Sequence, residues 1–347
     1  MLKRPTVHDV AAQAGVSIKT VSRVVNAEAN VSPELRDRVL AAVKDLQYVQ
    51  NSVARSLKVG LGDTVGVVID SIADPFFAAL TSAAEATALE AGLNVVFGST
   101  GHDAGRERRQ VERMAMQQVR GLILAPVQGD HSYLTRYRHS LPVVLVDRAL
   151  ETDNFDTVLV DDYNATREAV KHLLRHGHRH IAFIGADPRF VTVTERLRGY
   201  HDAMDRAGVP RDRGLVAPGI SEDGAGAATL LLLRERPDVT ALFAANTTAC
   251  LGAVHILHSA RRTDVAMVGF GDFPLAGMLE PGITCVDQDP RRIGEVATEQ
   301  LLARLGLGPV ELSRQPTTEP ATVQPGERVV LPTRLVQRGS GEIVAAR

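Results

Sequence analysis

The sequence predicts a small all-α helix-turn-helix headpiece with a hinge helix, followed by a two-lobed α/β core built on parallel sheets. Three observations predict it. Three short, capped amphipathic helices fit into the first 50 residues. From residue 64 onward, β-branched apolar runs alternate with helical stretches in two successive series, the pattern of parallel sheets covered by helices. Charge is also unevenly placed. Residues 1–60 carry nine Lys/Arg against five Asp/Glu, whereas the whole 347-residue chain is at −2. A basic end on an acidic body suits a polyanionic partner at that end only.

Composition narrows the classes. With 44% hydrophobic residues in 347, the chain can bury a sizeable core and divide into two or three domains. No stretch of about 18 apolar residues occurs, so no transmembrane helix and no membrane partner are expected. The N-terminal MLKRPTVHDV lacks the apolar centre of a signal peptide, which gives an expectation of a cytoplasmic protein. Cys250 and Cys285 are too few for a disulfide framework.

In the headpiece, Thr6 caps a helix from Val7 to Ala14, with Asp9 placed where the helix dipole favours an acid. Val10, Ala11 and Ala14 make a narrow stripe of small side chains. Gly15 supplies the left-handed turn after it. Ser17 caps a second helix to about Val25, in which Val21, Val24 and Val25 face inward. Its other face carries Ile18, Lys19, Ser22 and Arg23. Lys and Arg can donate to guanine edges and Ile can touch a thymine methyl. Ser17, Thr20 and Asn26 are placed for phosphate contacts, which fix register. Ser32 and Pro33 open a third helix with Leu35, Val39, Val43 and Leu46 as its apolar stripe.

The run from Thr6 through Asp9, Ala14-Gly15-Val16-Ser17 and Thr20-Val21-Ser22-Arg23 to Asn26 resembles the headpiece signature of the LacI/GalR family of bacterial regulators. The resemblance implies that Ile18, Lys19 and Arg23 read the major groove. Asn51-Ser-Val-Ala54-Arg55-Ser-Leu57-Lys58 resembles that family's hinge helix, which implies minor-groove binding with Leu57 as a wedge. An apolar wedge with basic neighbours is how minor-groove binders kink DNA. Gln50 departs from the family, which usually has Pro before the Asn.

In the core, strands are expected at 64–70, 93–98, 120–125 and 142–147, and a second series from about 157 continues to a strand at 265–269. The resemblance implies a periplasmic-binding-protein-like core. The expected division is a headpiece at 1–50, a hinge at 51–61, a core at 62–341 and a tail at 342–347. Within the core, lobe 1 takes 62–161 and 291–322, and lobe 2 takes 162–290 and 323–341. Ligands in such folds sit beyond the carboxyl ends of the strands. The candidates there are Phe76 and Phe77 behind the Asp74-Pro75 helix start, Asp147, Asp161, Asn246, Gly271 and Asp272. Thr192-Val-Thr194-Glu195-Arg196-Leu-Arg198-Gly199-Tyr200 resembles the second-lobe motif whose arginine clamps the ligand, which implies Arg196 with Thr192 beside it. The planar fork of Arg binds paired oxygens bidentately.

Two departures bear on the ligand. Asn246-Thr247 stands where the family often has Asn-Asp, and Gly269-Phe270-Gly271-Asp272 where it often has Gly-Phe-Asp-Asp. Loss of an acid near Arg196 predicts a more positive cleft and an effector with a negative group, a sugar acid or sugar phosphate. His176, His178 and His180 fall at a helix end where they diverge, so no metal is expected. No nucleotide-binding or nucleophile motif appears, so neither a cofactor nor an enzyme is expected. The reading is a ligand-responsive repressor acting as a homodimer on a pseudo-palindromic double-stranded operator. The alternative is a solute-binding protein without a regulatory role.

Overall fold

The structure is a computed structural model that describes residues 5–25, 31–48, 62–138, 140–150, 154–219, 221–307 and 326–345. The chain divides into two compact units, residues 1–62 and 63–347.

The first unit holds α1 (Val7–Ala14), α2 (Ile18–Val25) and α3 (Pro33–Asp45). Thr6 and Asp9 form a capping box: the Thr6 amide donates to the Asp9 carboxylate at 2.7 Å, and the Asp9 amide donates back to the Thr6 hydroxyl. Gly15 ends α1 in the left-handed region, at φ 62°. Arg38 on α3 braces that turn by donating to the Ala14 carbonyl. Val10, Ala14, Val21, Val24 and Val39 close a mini-core.

The second unit contains two six-stranded sheets. The first uses β1 (Thr64–Ile69), β2 (Asn94–Ser99), β3 (Leu122–Leu124), β4 (Val143–Val146), β5 (Asp156–Val160) and β11 (Arg328–Leu331) in the order β11-β5-β4-β3-β1-β2. The second uses β6 (Ile181–Ala186), β7 (Val216–Pro218), β8 (Ala241–Ala244), β9 (Ala266–Phe270), β10 (Thr284–Asp287) and β12 (Arg334–Val336) in the order β12-β10-β9-β8-β6-β7. Every pairing is parallel except β10 with β12. Apolar core clusters lie on both faces of each sheet, so the central strands are buried almost throughout.

The helices include α4 (Pro75–Glu90), α5 (Ala104–Met116), α6 (Asp162–Arg175), α7 (Val191–Arg206), α8 (Glu222–Glu235), α9 (Thr247–Ser259) and α10 (Pro290–Arg304). α10 packs along α4, and α6 along α7. Gly294 and Gly199 permit these close approaches, because a Cβ at either would overlap the Leu80 or Tyr163 carbonyl of the facing helix.

Two boundaries differ from those the sequence suggests. Residues 328–331 pair with β5 in the first sheet rather than joining lobe 2. Edge-strand membership is a long-range choice that local alternation does not encode. The tail is also no loose appendage. Glu342 accepts from His172 Nε2 (2.7 Å) and Thr284 Oγ1 (2.8 Å), and the Ala345 amide donates to the His176 carbonyl. The histidine run serves this anchoring in part: His178 bonds Thr240 Oγ1 and the Ile343 carbonyl, while His180 faces Asp238. No described helix is long and apolar enough to cross a membrane.

Candidate nucleic-acid interface and effector cleft

α2 separates its faces cleanly. Val21 and Val24 are buried, while Ile18, 42% exposed, and Lys19 stand out on the opposite side. An exposed isoleucine beside a lysine on a helix start is poor packing but suits a groove with methyl and carbonyl edges. Ser22 and Arg23 are half-buried beside them. The Thr20 amide donates to Ser17 Oγ at 3.1 Å, so Ser17 caps the helix and holds its first turn to that face. Thr6 is exposed at the start of α1. Asn26, Asn51, Ala54, Arg55 and Leu57 lie outside the described residues.

In the second unit, a cavity of about 70 Å³ opens between the two sheets at the carboxyl ends of their strands. Such a space admits roughly five water-sized groups. Asp74 caps α4 by accepting from the Phe76 amide at 2.9 Å, which fixes Phe76 and Phe77 at the cavity wall. Their rings meet edge to face, 5.0 Å between centroids. From the other lobe, Phe190 reaches across to His102 (4.8 Å between rings) and lies 5.3 Å from the Arg148 guanidinium.

Both arginines of the cavity already have acceptors. Arg196 donates from Nε to Asp162 Oδ1 (2.7 Å) and from Nη1 to the Ala245 carbonyl (2.7 Å), with its guanidinium 3.8 Å from the Phe270 ring centre. Arg148 donates to Asp70 Oδ2 (2.5 Å) and the Pro126 carbonyl (3.1 Å). Burial pushes the Asp162 carboxyl up to about 6, with Arg196 pulling the other way. Asp70 is held down at about 2, because the His102 hydrogen bond and the Arg148 charge outweigh its burial. Two buried donors, Arg148 Nε and Gln288 Nε2, have no hydrogen-bond partner in the structure, and both residues line the cavity.

The family model described as bacterial regulatory proteins, lacI family, matches residues 6–51. The model described as periplasmic binding proteins and sugar binding domain of LacI family matches residues 62–324. The chain belongs to the LacI family. It is therefore a DNA-binding transcriptional regulator with a sugar-binding domain, and not an enzyme. Among its relatives, the HTH-type transcriptional regulator CelR of Thermobifida fusca is 34% identical, over 98% of this chain and 99% of the relative. Solved structures that cover nearly the whole of it include two of regulators in complex. One is the transcriptional regulator CelR–cellobiose complex, at TM-score 0.68 and 32% identity, covering 97% of this chain and 100% of the other. The other is the lac repressor dimer bound to operator and the anti-inducer ONPF, at TM-score 0.80 and 26% identity, covering 99% and 100%.

Of the effector residues expected in this LacI-family chain, Phe76, Phe77, Asp147, Thr192, Arg196 and Asn246 line the cavity, and Asp161, Gly271 and Asp272 do not. Asp161 is spent on capping α6, accepting from the Asn164 amide at 2.9 Å, and its neighbour Asp162 is the one that meets Arg196. Asp272 is held in a two-bond fork by Arg338, at 2.8 and 2.6 Å. Gly271 sits at φ 97° against Thr247, whose hydroxyl fills the space a side chain would need. The positive cleft is also not what forms. Asp70, Asp74, Asp147 and Asp187 line the cavity against Arg148 and Arg196, because carboxylates from other elements replace the missing one. Sequence reasoning missed Arg148, His102, Phe190 and Gln288. Arg148, just past β4, and Gln288, just past β10, stand at strand ends, the position that points to the site.

Proposed function

We propose that this chain is a ligand-controlled repressor that binds a pseudo-palindromic operator as a homodimer, with a sugar of monosaccharide size as effector in the inter-lobe cleft. The observation that carries the reading is the pairing, in one chain, of an outward helix face bearing Ile18 and Lys19 with a polar cavity between two lobes. A two-fold protein requires a two-fold site. Exposed Ile72 and Phe97 on one lobe and Leu275 and Met278 on the other give a second copy apolar surface to cover. The lac repressor, similar over its whole length, is a dimer on its operator.

In this reading Ile18, Lys19 and Arg23 read base edges and Ser17, Thr20, Ser22 and Thr6 set register. Asn26 and the hinge residues Asn51, Ala54, Arg55 and Leu57 extend the contacts into the minor groove. The effector acts through its different affinities for the two lobe arrangements, and shifts DNA binding by that difference. An acidic sugar is disfavoured, because both guanidinium forks already face protein acceptors.

Selection of bound sequences from random DNA, with and without sugars, tests the proposal. It should yield inverted repeats whose recovery changes with one sugar. Replacing Leu57 by Ala should weaken operator binding and leave sugar binding intact. Recovery of single, non-repeated sites, or of no sites at all, refutes the dimeric repressor.

A further inference from the structure

The cavity has more acceptors than its own cations satisfy. Asp70 and Asp162 are matched by Arg148 and Arg196, and Asp187 by Arg189 at 2.8 Å. Asp74 has no ion pair among the described residues, and there its carboxylate accepts only from the Phe76 amide. Asp147 is buried with its Oδ2 3.1 Å from Arg148 Nε, yet that contact lacks hydrogen-bond geometry, so both groups still want a partner. Gln288, 3% exposed, lines the same cavity with an unused amide donor. The lining therefore offers two carboxylates, the neutral Gln288 donor and the Arg148 Nε donor to whatever enters. A neutral hydroxyl could accept from Gln288 and donate to a carboxylate, but would leave Asp74 without a cation and Asp147 sharing Arg148 with Asp70.

We propose that the effector of this cleft is an amino sugar, a monosaccharide-sized polyol whose ammonium group is held by Asp74 and Asp147 while a ring hydroxyl accepts from Gln288. The inference rests on the reading of the cleft as the effector site. The pKa directions agree with it. Burial raises both Asp74 and Asp147, and Asp70 repels both, as Asp147 also repels Asp74. A cation between the two acids relieves that repulsion, whereas an anion adds to it.

The test is titration calorimetry and thermal shift on the full chain. The panel is D-glucosamine, D-galactosamine and D-mannosamine, their neutral parent hexoses, their N-acetyl derivatives and the matching hexonates. One amine should bind at least about tenfold tighter than both its parent and its N-acetyl form, a difference of about 1.4 kcal/mol. Asp147→Asn should bring that ratio to within about threefold; Asn tolerates the positive φ at this position. Asp74→Asn is the second variant, read by the same ratio, should Asp147→Asn not fold. A hexose, N-acetyl sugar or hexonate binding as tightly as the best amine overturns the amino-sugar assignment and leaves the sugar cleft standing. Binding of no member overturns the sugar cleft, and this inference with it.

Discussion

Gly271 and Thr247, two separate departures from the family pattern, are one structural event. The Gly271 backbone is at φ 97°, a region that residues with a Cβ rarely adopt, and a Cβ there would overlap the buried Thr247 hydroxyl. Gly271→Ala therefore meets two penalties. Holding a non-glycine residue in this backbone region costs about 1–3 kcal/mol. Turning Thr247 out of its rotamer to make room costs about 0.5–1.5 kcal/mol more. The sum, roughly 2–4 kcal/mol, lowers the melting temperature of a unit this large by about 4–10 °C. Thermal and urea denaturation, followed by circular dichroism, measures it. The double variant Gly271→Ala with Thr247→Ala should recover the contact part, about 1 kcal/mol, and keep the backbone part. Stability of Gly271→Ala within about 0.5 kcal/mol of the parent refutes the strain argument. Failure of Thr247→Ala to recover anything refutes the contact argument.

Other outcomes follow from the same structure. Asp162 binds its proton more tightly folded than unfolded, so its contribution lowers stability as pH rises from the ordinary 3.8 to about 6, and is constant above that. Urea titrations across this window should show Asp162→Asn without that fall, so that its stability changes more favourably with rising pH than the parent's, and an unchanged slope would count against the burial argument. Glu342→Ala removes the acceptor shared by His172, Thr284 and the Gly339 amide, and should cost about 1–3 kcal/mol in urea denaturation. Lys19→Ala should weaken operator binding in fluorescence anisotropy. Binding by the parent should fall steeply with salt, as phosphate contacts release counterions; salt-independent binding would contradict the interface.

The headpiece was legible because its information is local. Thr6, Gly15, Ser17, Ser32 and Pro33 sit at caps and turns, and valines three and four apart mark the inward faces. Strands β1 to β6, β8 and β9 were legible as β-branched runs between turn residues, whereas β7, β10, β11 and β12 were not. What escaped depends on partners distant in the chain. Asp161 and Asp162 are adjacent and chemically alike, and only the helix start decides that the first caps while the second meets Arg196. Asp272 looked free because its partner, Arg338, lies 66 residues away. The sign of the cleft was misjudged for the same reason. A missing carboxylate is visible in one motif, but the cavity's acids stand just past β1, β4 and β6 and at the cap of α4.

The two lobes are joined by three very short spans. They are Asp161 between β5 and α6, Gln288-Asp289 between β10 and α10, and Pro332-Thr333 between β11 and β12. Spans this short confine the backbone change of any lobe movement to a few residues at these ties. Gln288 belongs to one of those ties and also to the cavity wall. A molecule that grips its amide therefore pulls on the pivot itself, where a small displacement becomes a large one at the far rim of each lobe.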